Sequence, residues 1–313
     1  MAISGDTLLA GVTGRPLSHT LSPAMHNAAY AEMGLDWVYV PMAVDNVRDL
    51  PALADALRVL PFVGLNVTMP YKEPMLELCD EVATFAQVAG AVNTVHVVDG
   101  RLLGYNTDGR GLVDSLATEA DFDPAGRDVV LLGAGAAAAA ALLAFALEGA
   151  ASVTVANRTL ETAEELVERL APHARDTRLA AIGLGPAAEA AVRDADLLVN
   201  ATPVGMRPQD PVLVAPEWLR AGQLVADMVY RPAITPLLAA ASAAGATAVG
   251  GLGMLVAQGA VSIEIWNGDS QQSAPRQTMR RAAAEALAAS GSDSTDTTDR
   301  RDPGAGAPDR SER

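Results

Sequence analysis

The sequence is short of aromatic side chains, of cysteine and of positive charge, and each shortage excludes something. Phe, Trp and Tyr make up 4% of the 313 residues while half of the residues are apolar, so Leu, Val, Ile and above all Ala must fill the interior. Small side chains favour helices packed closely on a sheet, an α/β architecture. The single cysteine, Cys79, excludes an intrachain disulfide and fits a reducing cytoplasm. Its setting, Leu76-Glu77-Leu78-Cys79, predicts a buried helix face rather than a reactive thiol.

The formal charge of −16 repels polyanions, so nucleic acid and anionic membrane surfaces are not expected as partners. An anionic small-molecule substrate then needs locally placed cationic or hydrogen-bonding groups. No basic segment followed by an apolar run opens the chain, and the alanine-rich run after Gly135 is interrupted by Glu148; neither secretion nor membrane insertion is expected. No metal is expected.

Two rhythms follow one another along the chain. In the first hundred residues Leu8 to Val12, Trp37 to Val40 and Phe62 to Val67 read as strands separated by helical stretches, a βαβ-type pattern. Val92 to Val98, the turn Asp99-Gly100 and Arg101 to Tyr105 read as a hairpin, since Asp-Gly supplies the positive φ angles of a tight turn. From Asp128, strands near 128–132, 152–156, 178–182, 196–200, 224–228 and 246–249 alternate with alanine-rich helices, which suits a Rossmann-like doubly wound parallel sheet. Helices over Met254 to Trp266 and about Arg276 to Ala289 fit either domain by position alone. From Gly291 to Arg313 the apolar side chains are Ala305 and Ala307, too few to offset ordering entropy, so a disordered tail is expected.

The first strand of the second rhythm runs into Gly133-Ala134-Gly135-Ala136-Ala137-Ala138, a GxGxxA pattern opening a helix. The first glycine permits the tight turn, the second lets a pyrophosphate approach the backbone, and the small third residue allows close helix packing. Free N–H groups at the helix start then face the phosphates. The next strand ends in Asn157-Arg158-Thr159, with no acid for a ribose hydroxyl. A guanidinium there pairs with a 2′-phosphate, which favours NADP over NAD.

Two polar segments stand at strand ends of the first domain, where open α/β sheets place their sites: Asn66-Val67-Thr68-Met69-Pro70-Tyr71-Lys72 and Asn106-Thr107-Asp108-Gly109. Hydride transfer to a ketone needs a proton donor for the oxygen, a task that suits the Lys72 ammonium, with a carboxylate such as Asp108 to position it.

These segments, with Gly14-Arg15-Pro16-Leu17-Ser18-His19-Thr20-Leu21-Ser22-Pro23-Ala24-Met25-His26, Gly90-Ala91-Val92-Asn93-Thr94, Asn200 to Met206, Asp227 to Pro232 and Gly251-Leu252-Gly253-Met254-Leu255-Val256-Ala257-Gln258, resemble the shikimate dehydrogenase family up to about residue 289. The resemblance implies NADPH-dependent reduction of 3-dehydroshikimate to shikimate, in the shikimate pathway to chorismate and the aromatic amino acids. It implies Lys72 and Asp108 as the catalytic pair, and Thr20 and Ser22 at the substrate carboxylate. Asn66, Thr68, Asn93, Tyr230 and Gln258 would be the other substrate contacts. The cofactor would be held by Gly133, Ala134, Gly135, Ala136, Ala137, Asn157, Arg158, Thr159, Thr202, Met228, Gly251 and Met254. It further implies a substrate domain, 1–108, completed by helices within 252–290, and a nucleotide domain, 109–251. With substrate motifs in one and cofactor motifs in the other, a site in the cleft between them is expected, with closure about the connections near Gly109 and Gly250.

The sequence departs from the family pattern in three places. Thr20 stands where serine is usual, Ala136 where glycine is usual, and Thr162 where a second basic residue often follows Arg158. A quinate/shikimate dehydrogenase of broader substrate or cofactor range therefore stays open, as does a non-catalytic dinucleotide-dependent sensor. So does the choice between monomer and homodimer.

Overall fold

The computed structural model describes residues 3–207, 209–268 and 272–292, which form two six-stranded sheets. The first contains β1 (Leu8–Thr13), β2 (Trp37–Pro41), β3 (Phe62–Val67), β4 (Glu81–Val82), β5 (Thr94–Val98) and β6 (Arg101–Tyr105), in the order β2-β1-β3-β5-β6-β4. β1 pairs in parallel with β2 and β3, whereas β5 runs antiparallel to β3 and β6. The hairpin turn follows its sequence signal: Asp99 and Gly100 both take positive φ, 50° and 74°.

Between these strands lie α1 (Ser22–Met33), α2 (Leu50–Val59) and α3 (Thr84–Ala89). α1 starts with a proline in its first turn and stops at Gly34, whose left-handed φ of 69° ends the helical ladder. Its buried face meets one side of the sheet at Ala10, Val12 and Trp37, and α2 covers the other side at Leu65 and Val95 through Leu50, Ala54 and Leu57.

α4 (Asp108–Ala120) leads into the second sheet: β7 (Asp128–Leu132), β8 (Ser152–Asn157), β9 (Arg178–Gly183), β10 (Leu197–Asn200), β11 (Leu224–Asp227) and β12 (Thr247–Val249). All six strands are parallel, in the order β12-β11-β10-β7-β8-β9. The order reverses between β7 and β10, the switch point at which doubly wound sheets open a ligand crevice. α5 (Ala136–Leu147) and α6 (Leu160–Leu170) cover one face, while α7 (Pro186–Asp194) and α8 (Pro236–Ala243) cover the other. In α5 every residue from Ala138 to Ala146 is buried, so its alanines let the helix sit close to the strands.

The chain then returns to the first sheet. Val256, Ala260, Ile263 and Trp266 of α9 (Leu252–Trp266), with Met279 and Ala283 of α10 (Arg276–Ser292), pack in one cluster with Ala10, Val12 and Met25. Gly64 of β3 provides the close approach that this needs, since a Cβ there would lie 2.0 Å from the Trp266 indole nitrogen.

Two expectations need correction. Cys79 lies on no helix; a short 3-10 turn over Pro74–Leu78 ends before it, and its own backbone is extended and half-buried. Asp80 is the cause: its N–H donates to Leu102 O at 2.8 Å and its carboxylate accepts from Leu102 N–H at 2.7 Å, so strand pairing wins over helix continuation. Burial pushes the Cys79 thiol up to about 12. The tail begins later than Gly291, because α10 runs through Ser292; the expected disorder of 293–313 lies outside the described residues.

Candidate active site

Lys72 follows β3 after four residues of loop, and Asp108 is the first residue of α4, a favourable place for a carboxylate because the first-turn N–H groups are unpaired. Lys72 Nζ donates to Asp108 Oδ2 at 2.5 Å, with side-chain exposures of 14% and 7%. Exposure this low takes the pair out of the class of surface ion pairs.

Asn93 completes the arrangement. Its amide Nδ2 donates to Asp108 Oδ1 at 2.8 Å and to Thr107 Oγ1 at 3.0 Å, with Gln258 Oε1 at 3.4 Å. Its Oδ1 accepts from Thr107 N–H at 2.8 Å and Thr94 Oγ1 at 2.9 Å. Both carboxylate oxygens of Asp108 are thus engaged, and the Lys72 ammonium keeps two N–H groups beyond the one given to Asp108.

Asn66 is buried beside this cluster and joins it through Thr94 Oγ1 at 3.1 Å. Thr68 is half-buried and donates its N–H to Thr13 O at 2.8 Å. Ser22 opens α1, buried, with its N–H on Thr20 Oγ1 at 3.3 Å; Thr20 is half-buried. Tyr230 packs against the core of the first sheet, and burial raises its hydroxyl above the usual range.

The glycine loop lies at the switch point. Gly133 has φ 105°, and a Cβ on it would come within 2.7 Å of Thr202 Cγ2, so glycine is needed on both counts. Thr202 is held there by Asn200 Oδ1, which accepts its N–H at 2.9 Å and its hydroxyl at 2.7 Å. Asn200 in turn donates to Asp227 Oδ1 at 2.9 Å. Burial raises Asp227 above the usual carboxylate range, against the lowering effect of its hydrogen bonds. Gly251 starts α9 where a Cβ would lie 2.3 Å from Met228 O, and Met228 and Met254 both pack on the core of the second sheet.

These residues fit a dinucleotide. Nothing lies within 4 Å of a Cβ built on Gly135, so open space faces the start of α5 beside Ala134, Ala136 and Ala137. Asn157 Nδ2 donates to Thr159 O at 2.9 Å, closing the loop around Arg158. Arg158 and Thr159 are exposed. A cavity of about 730 Å³ runs between the sheets, lined by Ala134, Gly135 and Ala136 on one side and by Glu73, Thr84 and Gln87 on the other. Glu73 is the chain neighbour of Lys72, but neither Lys72 nor Asp108 lines that cavity, and Arg158 stands apart from it.

Several participants were not singled out by sequence: Tyr39, Thr94, Thr107, Asn200, Asp227 and Ser262, all buried and polar apart from the ring of Tyr39. One signal was available and strong. Lys72 is the only lysine in the chain, beside 21 arginines, so at this one position a guanidinium did not serve. Among the described residues no three His, Cys, Asp or Glu side chains group to hold a metal ion, and no helix is long and apolar enough to cross a membrane.

A parallel sheet with a glycine loop at its switch point, joined in one chain to a second sheet that carries a buried lysine–carboxylate pair at its edge loops, defines a nucleotide-linked oxidoreductase. Residues 12–95 match the family described as shikimate dehydrogenase substrate binding domain, residues 115–205 that of shikimate / quinate 5-dehydrogenase, and residues 251–284 the shikimate 5′-dehydrogenase C-terminal domain. The chain belongs to the shikimate dehydrogenase family. It is 46% identical over 290 residues to the protein of Methanopyrus kandleri named shikimate dehydrogenase (NADP(+)), covering 92% of this chain and 98% of that one. A crystal structure of a shikimate dehydrogenase in complex with NADP+ superposes with a TM-score of 0.84 at 35% identity, covering 91% of this chain and 98% of that one. The quinate dehydrogenase of Corynebacterium glutamicum, in complex with NAD, gives 0.80 at 30% identity, covering 89% and 99%.

Proposed function

We propose that the chain reduces 3-dehydroshikimate to shikimate with NADPH, reversibly, and that Lys72 moves the proton. The observation that carries this is the buried contact of Lys72 Nζ with Asp108 Oδ2 at 2.5 Å, with Asn93 on the other carboxylate oxygen. The names of the relatives, and the NADP+ bound in one of them, support the choice of substrate and cofactor.

Bound NADPH supplies a hydride to the ring ketone and NADP+ takes it back in the reverse direction. As the carbonyl carbon accepts that electron pair, the π electrons move to oxygen, and a Lys72 N–H provides the proton for the alkoxide. Asp108 stays a carboxylate throughout and keeps the ammonium aimed. Thr20 and Ser22 would hold the substrate carboxylate, and Asn66, Thr68, Asn93, Tyr230 and Gln258 the rest of the ring. Positioning of this kind contributes several kcal/mol, and general acid–base work roughly 10² to 10⁴ in rate. Arg158 and the N–H groups at Ala136 and Ala137 would bind the phosphates, with Met228, Gly251 and Met254 beside the nicotinamide.

The lobes we assign are 1–108 with 252–290, for substrate, and 109–251, for nucleotide; the packing of α9 and α10 on the first sheet supports this division. The acidic charge and single cysteine support a cytoplasmic enzyme, monomer or homodimer, without nucleic-acid or membrane partners. Thr20, with one methyl more than serine, changes the shape of the carboxylate pocket and makes quinate the second substrate to test.

The test follows absorbance of the reduced nicotinamide with shikimate or quinate, each with NADP or NAD. Turnover is expected first with shikimate and NADP; turnover with quinate and NAD alone would move the assignment to quinate dehydrogenase. Absence of turnover in all four mixtures would leave a dinucleotide-dependent sensor.

A further inference from the structure

Asn66 has little hydrogen-bonding capacity left over. Its two Nδ2 hydrogens face three acceptors, Ser262 Oγ at 2.9 Å, Thr94 Oγ1 at 3.1 Å and Asn93 O at 3.3 Å. Its Oδ1 accepts from the Tyr39 hydroxyl at 2.8 Å. An amide oxygen has two lone pairs, so the capacity still open on Asn66 is one acceptor position on Oδ1.

Tyr39 is well placed to fix that orientation. The residue is 2% exposed, and its ring stacks on His26 at 4.1 Å and 17°, so the hydroxyl cannot swing away. The phenol oxygen therefore ties β2 to the end of β3, where a ring hydroxyl is assigned. Ser262, on the α9 turn after Gln258, grips the amide from its nitrogen side and donates back to Gln258 O at 3.0 Å.

We infer that Tyr39 is a positioning residue for the substrate: its hydroxyl locks Asn66 so that the amide presents an acceptor to a donating substrate hydroxyl. Ser262 supports the lock from α9. The inference rests on the proposed role of Asn66 as a substrate contact.

The test is steady-state kinetics of Tyr39→Phe, which removes one oxygen and keeps the stacked ring, beside Asn66→Ala and the double variant. Tyr39→Phe should raise KM for shikimate about tenfold, a net hydrogen-bond-sized effect, while KM for NADP stays within about twofold. In the Asn66→Ala background the same change should add little, because the two effects share one contact. Full additivity, or an unchanged KM for shikimate in Tyr39→Phe, overturns the inference and leaves the function standing. A purely structural tyrosine would lower Tm with both KM values intact, and that result overturns it too. If Tyr39→Phe does not fold, Ser262→Ala asks the same question from the nitrogen side and should raise KM for shikimate alone; an unchanged value is the overturning result. A wild-type enzyme inactive on shikimate would defeat the functional reading and this inference together.

Discussion

The main-chain N–H of Val92 donates to the carbonyl of Lys72 at 2.8 Å, and the next residue, Asn93, donates its side-chain amide to Asp108 at 2.8 Å. Two consecutive residues thus hold the lysine by its backbone and its counter-ion by its side chain. The stretch is anchored from behind: Arg169 of α6 donates to Val88 O at 2.6 Å, and Gly90 ends α3 with a φ of 74°. The site is built from short connections between rigid elements, and that decides which substitutions matter.

Asn93→Ala removes a hydrogen-bond partner from both Asp108 and Thr107, which are buried. An unsatisfied buried polar group costs about 1–3 kcal/mol. Urea unfolding should show a lower midpoint, and turnover should fall with it because the carboxylate is no longer fixed. An unfolding curve that overlays the wild type would contradict the described network.

Lys72→Ala should lose roughly 10² to 10⁴ in turnover while NADPH binding, followed by fluorescence titration, stays near the wild-type value. Lys72→Arg is the sharper variant. It keeps the charge and the ion pair, but a guanidinium does not release a proton at working pH, so turnover should fall nearly as far. Normal turnover in Lys72→Arg would show that position 72 supplies charge and no proton.

How far the sequence reveals this protein differs between its two sheets. The Rossmann sheet is legible strand by strand, because parallel strands buried on both faces read as apolar runs punctuated by glycine and alanine-rich helices. The first sheet is legible except for β4, two residues long, and α3, of six; elements that short carry no period. In the site, Lys72 and Asp108 stand out by their segments. The groups that orient them do not: Thr107 and Ser262 look like ordinary helix-start and helix-face hydroxyls, and Tyr39 like any inward residue of an alternating strand. What makes them special is contact across 27 residues from Tyr39 to Asn66 and 196 from Asn66 to Ser262, which only the fold supplies.

Arg158 tests the cofactor assignment. Loss of a charge-assisted hydrogen bond to a phosphate costs about 1.5–3 kcal/mol, so Arg158→Ala should raise KM for NADP by roughly 10- to 100-fold. With NAD, which has no 2′-phosphate, KM should barely move. No other basic residue stands between Arg158 and Arg169, so the whole of this effect is expected from Arg158. Equal losses with the two cofactors would place the 2′-phosphate elsewhere.

His26 predicts a pH dependence of stability. It is fully buried against Tyr39, with the Tyr30 hydroxyl 3.4 Å from Nδ1 and Nε2 without a partner among the described residues. Burial lowers it from its ordinary 6.5 to about 3. Above 6.5 folded and unfolded chains both carry the neutral ring, and the residue adds no slope. Between 6.5 and about 3 the unfolded chain binds a proton that the folded one refuses, so stability falls as pH falls, by at most about 1.4 kcal/mol per pH unit from this group. Asp227 has the opposite sign: its raised value favours the folded state at low pH and withdraws that support as pH rises through it. The two are separated by comparing wild type with His26→Gln, in which Asp227 is unchanged. Thermal unfolding from pH 7 down to about pH 4 should show a shallower decline in the variant, whatever its absolute stability, because an amide does not titrate there. Parallel declines would mean that position 26 is protonated in the folded protein, and that the stacked His26–Tyr39 pair does not exclude charge.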